Sequence, residues 1–163
     1  MMTVTRLASS GELMQVLRRE SMLWRLRIGT EDDLWSLARL ARMGMSLGML
    51  GERRDQTTAG EEGGRAKSAE RKKMWIKLRI ENTEYQSFSD VLRVHGIIEE
   101  AKFDTGSYHT HNITTGDEIE LSCTTPFLET DNQLLQQTVD AAKQVKIALA
   151  VVENDEIILF HIT

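Results

Sequence analysis

The chain has 163 residues, of which 40% are hydrophobic and 28% are charged, a balance that is typical of a folded domain and excludes a largely disordered chain. Its formal net charge is −5, so the protein as a whole is not a basic coat for nucleic acid, and any contact with RNA must come from local clusters of cations. The single cysteine, Cys123, excludes an intramolecular disulfide. Because no apolar run reaches the roughly 18–20 residues of a membrane span and residues 1–10 lack the pattern of a signal peptide, we expect a cytoplasmic protein.

The amino-terminal elements follow from the hydrophobic pattern. Residues 14–19 predict a short strand, and residues 22–28 alternate apolar and polar side chains as a half-buried strand does. Thr30, followed three residues later by Asp33, predicts a helix start close to a capping box. The apolar spacing that follows predicts a helix over about 31–42.

The middle of the chain contains a glycine-rich, charged segment between two strand patterns. Residues 45–50 are a short apolar segment that we interpret as a strand. Residues 51–73 keep no hydrophobic period and are predicted to form a long flexible loop, a kind of segment that is often functional. The next strand, 74–80, alternates cleanly and directs Trp75 outward.

The rest of the chain is mainly β, with one further helix. Strand candidates follow at 83–88, 91–98, 108–110 and 118–121. After Pro126, apolar residues at helical spacing predict a helix over 129–144. Residues 145–152 and 157–162 are interpreted as two strands of a hairpin that turns at Asn154-Asp155.

Together these elements predict an α+β, mainly β protein in three segments. Residues 1–13 are an amino-terminal extension without a clear pattern, and 14–122 form a small β-domain with one helix. Residues 123–163 contribute a helix and a hairpin, which are too few elements for an independent domain. We therefore interpret 123–163 as the start of a second domain.

The most informative chemistry lies at the two ends of the segment 51–73. If strands flank this loop, its terminal basic residues lie side by side, and clustered Lys and Arg replace counterions along a phosphate backbone. Trp75 offers an aromatic surface on which an unpaired base can stack. The candidate RNA-binding residues are Arg53, Arg54, Arg65, Lys67, Arg71, Lys72, Lys73, Trp75, Lys77 and Arg79. The alternative is a solvated loop that only keeps the domain soluble.

No catalytic residue, metal ligand or cofactor is assigned from the sequence. His109 and His111 share one face of a predicted strand, but two histidines need a third ligand to hold a metal. Carboxylates cluster at Glu31–Asp33 and at Glu99-Glu100, and paired acids hold Mg²⁺ in nucleases. The first cluster is already explained by the favourable position of acids at a helix N-terminus. A divalent metal is a cofactor only if a nuclease alternative holds.

Four segments together resemble the pelota family, its archaeal members in particular. They are, in chain order, Thr30-Glu31-Asp32-Asp33-Leu34-Trp35, the pair Arg53-Arg54 that opens a charged loop, Ile80-Glu81-Asn82-Thr83-Glu84-Tyr85 followed by Leu92-Arg93-Val94-His95-Gly96, and Gly106-Ser107-Tyr108-His109-Thr110. Each is weak by itself, whereas four in the same order and spacing are specific. The resemblance covers about 14–122 and, more loosely, 129–163.

The resemblance implies a Sm-like, SH3-like small β-barrel, followed over 123–163 by the start of a ribonuclease-H-like middle domain. It implies a release-factor-like protein of ribosome rescue, no-go decay and mRNA surveillance. The first domain would enter the decoding site of a stalled ribosome, with the loop 51–73 reaching toward mRNA and ribosomal RNA. Full-length family members also bind an EF-Tu-like translational GTPase and a recycling ATPase. A divalent-metal-dependent endonuclease activity has been proposed for the first domain and is kept as the enzymatic alternative.

Overall fold

The structure is a computed structural model, which describes residues 13–54, 71–86 and 88–141 in full and the strand backbone of 147–153 and 156–162. The strands are β1 (Gln15–Arg19), β2 (Leu23–Arg27), β3 (Ser46–Arg54), β4 (Arg71–Gln86), β5 (Val91–Glu100), β6 (Tyr108–Ile113), β7 (Glu118–Ser122), β8 (Ile147–Glu153) and β9 (Glu156–Ile162). The helices are α1 (Glu31–Leu40) and α2 (Glu129–Ala141). The predicted α+β, mainly β class is confirmed. Neither helix of this described part is long and apolar enough to cross a bilayer.

Within the described residues, β1 to β7 form one antiparallel sheet in the order β1-β2-β7-β3-β4-β5-β6. The sheet curves around a common core, because Trp24 of β2 and Ile113 of the edge strand β6 belong to the same buried cluster. β8 and β9 pair with each other as an antiparallel hairpin, as the sequence predicts. The two residues of the predicted turn, 154 and 155, lie outside the described residues.

The core consists of the inward-facing positions that the alternation predicts. Trp24 and Leu26 of β2 are fully buried, as are Ile76 and Leu78 of β4. α1 lies against the sheet and contributes the buried side chains Leu34, Leu37 and Leu40. Burying a side chain of this size stabilises the fold by about 1.5–3 kcal/mol. These buried side chains therefore determine which face of each strand is turned to solvent.

The predicted capping box is present at the start of α1. The Thr30 hydroxyl accepts a hydrogen bond from the Asp33 amide at 3.3 Å, and the Asp33 carboxylate accepts bonds from the Gly29 and Thr30 amides at 2.9 and 2.7 Å. These bonds satisfy amides that have no partner within the helix. The helix ends at Leu40, slightly before the predicted end.

The segment after β7 completes the core of the sheet. The Phe127 ring stacks on Trp24 with a centroid separation of 3.7 Å, and Leu135 of α2 is fully buried in the same cluster. Arg42 forms an ion pair with Asp131 of α2, in which Nη2 and Oδ2 are 2.9 Å apart. The assignment of 123–163 to a second domain stays a prediction, although Phe127 and Leu135 pack as part of the first. Positions 142–144 of the predicted helix lie outside the described residues.

The predicted boundaries are wrong around the charged segment. Residues 51–54 complete β3 and residues 71–73 begin β4, whereas the sequence analysis assigned both to the loop. The predicted strand 83–88 is largely the second half of β4, which runs on to Gln86 through a register shift. The reason is physical: backbone pairing between β3 and β4 sustains an extended conformation without apolar side chains. Residues 55–70 lie outside the described residues.

The close approach of β4 and β5 requires the glycine that ends the run Leu92–Gly96. It pairs with Ile80 of β4 beside the register shift. A Cβ atom at this position would collide with the Arg79 carbonyl oxygen and would lie 3.0 Å from Leu78 Cδ1. Only glycine therefore lets β4 and β5 approach this closely.

Candidate nucleic-acid interface

The two basic ends of the segment 51–73 meet on paired strands. In the register of β3 and β4, Arg53 lies opposite Lys72 and Arg54 lies opposite Arg71, while Glu52 lies opposite Lys73. Directly opposed side chains in an antiparallel pair have Cβ atoms about 4.5–5.5 Å apart, and like charges at this distance destabilise the pair. The predicted juxtaposition of the basic ends is therefore present, and it has an energetic cost.

The alternation of side chains divides these cations between two faces of the hairpin. Arg53 and Lys72 share the face of the buried residues Met74 and Ile76, whereas their neighbours along each strand point to the opposite face. The prediction that the terminal cations of the segment, Arg53, Arg54, Arg71, Lys72 and Lys73, form one cluster is wrong. A one-residue step along a strand reverses the face, so adjacent basic residues do not share a surface.

Arg53 braces the hairpin against the loop before β6. Its Nε donates to the Asp104 carboxylate at 2.6 Å, and Nη1 donates to the Tyr108 carbonyl oxygen at 3.1 Å. The Arg53 side chain is 20% exposed. Asp104 has φ +63°, a left-handed conformation that Asp tolerates better than most residues. Arg53 is thus engaged in holding the hairpin in place.

The opposite face carries a row of outward side chains that we call the outer strip. Its members are Arg54, Arg71, Lys73, Trp75, Lys77 and Arg79, and the exposed Glu52, directly opposite Lys73, lies on the same face. Arg54, Arg71, Lys73 and Arg79 are exposed, and Trp75 and Lys77 are half-buried. Among the described residues, none of the strip's cations takes part in an ion pair. Successive outward side chains of a strand are about 7 Å apart. The strip therefore extends along β4, with Arg54 beside it on β3.

Trp75 lies across β3 because β3 has a glycine there. A Cβ atom at Gly48 would come within 2.6 Å of Cζ2 and 3.0 Å of Cε2 of the indole. The Arg25 guanidinium carbon lies 5.8 Å from the ring centroid. The predicted outward direction of Trp75 is confirmed, and the ring lies over the strand.

The remaining candidates fall into two groups. Lys77 and Arg79 extend the outer strip toward the middle of β4, as predicted from the alternation. Arg65 and Lys67 lie outside the described residues. The role of all these residues in RNA binding stays a prediction at this point.

A histidine pair lies behind the hairpin, on the same face as Arg53. His109 and His111 are arranged edge to face with ring centroids 4.7 Å apart, and His111 Nε2 donates to the Ile76 carbonyl oxygen at 3.0 Å. A Cβ atom at Gly51 would lie 3.2 Å from His111 Cε1. Burial and the nearby Arg53 cation lower the pKa of His109. Sequence alternation predicted the shared face, but no local signal pointed to the contact with β3 and β4.

Several carboxylates of the predicted nuclease alternative have other partners. Asp33 binds the backbone amides at the start of α1, and Glu99 accepts a hydrogen bond from the Ser46 hydroxyl at 2.6 Å. Asp90 raises the pKa of Glu31 by its like charge and by a hydrogen bond. In the part of the chain that the structure describes, no group of three or more His, Cys, Asp or Glu residues is arranged to hold a metal ion.

Comparison with known proteins agrees with this fold. The family model of the pelota N-terminal domain matches residues 12–139. The protein pelota homologue of Methanococcoides burtonii is 33% identical over 127 residues, which are 78% of this chain and 35% of that protein. The chain therefore spans about a third of the length of this curated relative.

Two solved structures have the same fold at low identity. A model of ribosome-bound archaeal Pelota and ABCE1 superposes with a TM-score of 0.66 at 21% identity, covering 91% of this chain and 44% of that one. S. cerevisiae Dom34, described as a translation termination-like factor involved in RNA quality control and interacting with Hbs1, superposes with a TM-score of 0.60 at 10% identity, covering 89% of this chain and 41% of that one.

The fold and the site define an α+β, mainly β domain that presents a row of cations and an indole on one long hairpin. The chain belongs to the pelota N-terminal domain family, since the family model matches most of its length and a curated relative is more than 30% identical over 78% of it. The resemblance inferred from the four sequence segments is confirmed.

The adjacent residues Arg53 and Arg54 provide a matched test of the two faces. We expect Arg53→Ala to lower the free energy of unfolding by about 1.5–3 kcal/mol, because Asp104 loses a charged hydrogen-bond partner in a partly buried position. Arg54→Ala should change it by less than about 0.5 kcal/mol, as is usual for an exposed residue. Urea unfolding of both variants measures the difference, and equal losses would contradict the assignment of Arg53 to the brace.

Because of the buried histidine pair, we expect the free energy of unfolding to depend on pH. Burial and the neighbouring His109 lower the pKa of His111 from 6.5 to about 4, although its bond to Ile76 acts in the opposite direction. The unfolded chain therefore binds a proton between pH 6.5 and 4 that the folded chain excludes, and the free energy of unfolding falls as the pH is lowered through this window.

We expect His111→Gln, which keeps a donor for Ile76, to remove about 2–3 kcal/mol of this fall between pH 7 and pH 4.5. Urea unfolding at the two pH values, for wild type and variant, measures the difference. If wild type and variant lose the same stability, the buried neutral imidazole is not responsible.

Proposed function

We propose that this chain is the RNA- and ribosome-binding module of a pelota-like factor that recognises stalled ribosomes in ribosome rescue and no-go mRNA decay. The observation that carries the proposal is the outer strip, a row of exposed cations on a hairpin of a pelota-family domain. The ribosome-bound archaeal Pelota of the same fold supports the choice of the ribosome as partner. A ribosome-binding role also agrees with the expected cytoplasmic location.

The charge arrangement suits a phosphate backbone. The chain has a net charge of −5, so a locally basic row directs binding to one surface and leaves the rest of the protein repelled by RNA. Cations that contact phosphates release condensed counterions, which makes the affinity strongly dependent on salt. The pairing of Arg54 with Arg71 costs stability in the free protein, and neutralisation by phosphate removes that cost in the complex.

The brace on the opposite face restrains the hairpin that carries the strip. Arg53 ties β3 to Asp104, and the small cluster of Met74, Ile76 and Ile98 packs under the same part of the hairpin. A surface that is ordered before binding loses less conformational entropy when it binds. We therefore assign Arg53 a positioning role and the outer-strip residues the direct contacts.

The proposed partners are the decoding site of the small subunit, with its mRNA and ribosomal RNA. S. cerevisiae Dom34 interacts with Hbs1, and for a full-length relative we propose an EF-Tu-like translational GTPase as a further partner. No described residue of this chain is assigned to that contact. No contact of Asp33 or Glu99 favours the divalent-metal endonuclease alternative, and we do not advance it.

Co-sedimentation with ribosomes stalled with an empty decoding site tests the proposal. We expect the triple variant Arg54→Glu, Arg71→Glu, Lys73→Glu to lose at least about tenfold in affinity at 100 mM salt, because three cations change sign within the strip. The matched control reverses Arg39, Arg93 and Lys102, two arginines and one lysine that are exposed on α1, on β5 and just after β5.

The control variant has the same net charge as the test variant and should pellet like wild type. If both triple variants lose binding equally, the contact depends on overall charge and the outer strip is not the interface. If wild type itself does not pellet, the described domain does not suffice for recognition and the proposal is wrong for this chain.

A further inference from the structure

We propose that Trp75 forms a stacking site for one unpaired nucleobase, so that the outer strip binds single-stranded RNA in preference to duplex RNA. The inference rests on the proposed function and specifies the RNA that the strip accepts. It is carried by the contact of the indole with Gly48 and by the apolar and cationic side chains around the ring.

The indole lies against the β3 backbone at Gly48. Three of its atoms, Cζ2, Cε2 and Nε1, lie within 3.2 Å of the point that a Cβ of Gly48 would occupy. Gly48 is itself buried, whereas Trp75 is half-buried. The indole therefore contacts the β3 backbone at Gly48, and the Arg25 guanidinium carbon lies over the ring, 5.8 Å from its centroid. Any larger residue at position 48 would lift the indole away from the strand.

The neighbours of the ring are those that a nucleotide requires. Leu50 lies directly opposite Trp75 and is 57% exposed, so an apolar surface continues beside the indole. Lys73 and Lys77 precede and follow Trp75 on the same face of β4, and Arg25 lies over the ring. Two acids share this face, Glu52 opposite Lys73 and Glu120 opposite Gly48. A base has an apolar face and is joined to anionic phosphates on both sides, which matches an apolar centre between cations.

The stacking surface also determines which RNA fits. In a duplex, both faces of an internal base are already stacked on its neighbours, and a protein reaches the backbone and the 2′-hydroxyls. A strip that binds phosphates alone accepts duplex and single strand alike, whereas a strip with a stacking site gains affinity only from an unstacked base. A stacking site at Trp75 therefore favours single-stranded RNA.

Tryptophan fluorescence reports the contact directly. The chain has three tryptophans; Trp24 is fully buried against Phe127, and Trp35 is 53% exposed on α1. In a Trp35→Phe background, Trp75 is the one tryptophan that a ligand can reach. We would titrate the full chain in this background with single-stranded hexa-adenylate RNA, with a six-base-pair RNA duplex and with tripolyphosphate.

We expect hexa-adenylate to quench the fluorescence in a saturable way, and the duplex and tripolyphosphate to bind more weakly with little quenching. Trp75→Ala should weaken hexa-adenylate binding at least about fivefold, measured by anisotropy of labelled RNA, because one stacked base is worth ~1 kcal/mol or more. Trp75→Phe should remain within about twofold of wild type, and Gly48→Ala should weaken binding by displacing the indole. The dependence on salt should be unchanged in Trp75→Ala, since no phosphate contact is removed.

The inference is overturned if Trp75→Ala binds hexa-adenylate like wild type, or if the duplex binds as tightly as the single strand. Equal quenching by tripolyphosphate also overturns it, because charge alone would then account for the signal. These outcomes are separate from the ribosome experiment. If stacking fails while reversal of the strip still abolishes pelleting, the proposed function stands. If stacking succeeds while reversal has no effect on pelleting, the ribosome proposal is the one that fails.

Discussion

The antiparallel pairing of β3 with β4 is the constraint on which the site depends. Its register sets Arg53 against Lys72 and Arg54 against Arg71, and therefore decides which basic side chains share a surface. A shift of one residue would move the whole outer strip to the side of the core. The register is held because Ile76 and Leu78 of β4 are fully buried, and exposing them would cost several kcal/mol.

We propose different roles for the two faces of this hairpin. The inner face holds the hairpin in position through the Arg53–Asp104 ion pair and through His111, which binds the Ile76 carbonyl oxygen. The outer face is free of ion pairs among the described residues and carries exposed cations beside Trp75. In this proposal, stability and binding fall to alternate residues of the same strands. A chain with a net charge of −5 thus carries a basic row on one face of the hairpin.

Much of the fold follows from local sequence signals, and the site does so only in part. The alternation at β2 and β4 and the capping box of Thr30 and Asp33 depend on neighbours in sequence, so they were predicted correctly. The sequence did not predict that β3 extends to Arg54 or that β4 begins at Arg71. Both extensions depend on backbone pairing between strands that the charged segment separates. The partner of Arg53 was missed for the same reason, since Asp104 becomes its neighbour only when the sheet curves.

The central claim is that the like-charged pair on the outer face reduces stability and serves binding. The most direct measurement is the effect of the single substitution Arg54→Glu on both properties, by urea unfolding and by anisotropy with labelled single-stranded RNA. Because Arg71 lies directly opposite, the account predicts that the free energy of unfolding rises by about 0.2–1 kcal/mol while RNA affinity falls severalfold. A variant that is less stable than wild type, or one that is more stable and still binds RNA equally well, would contradict it.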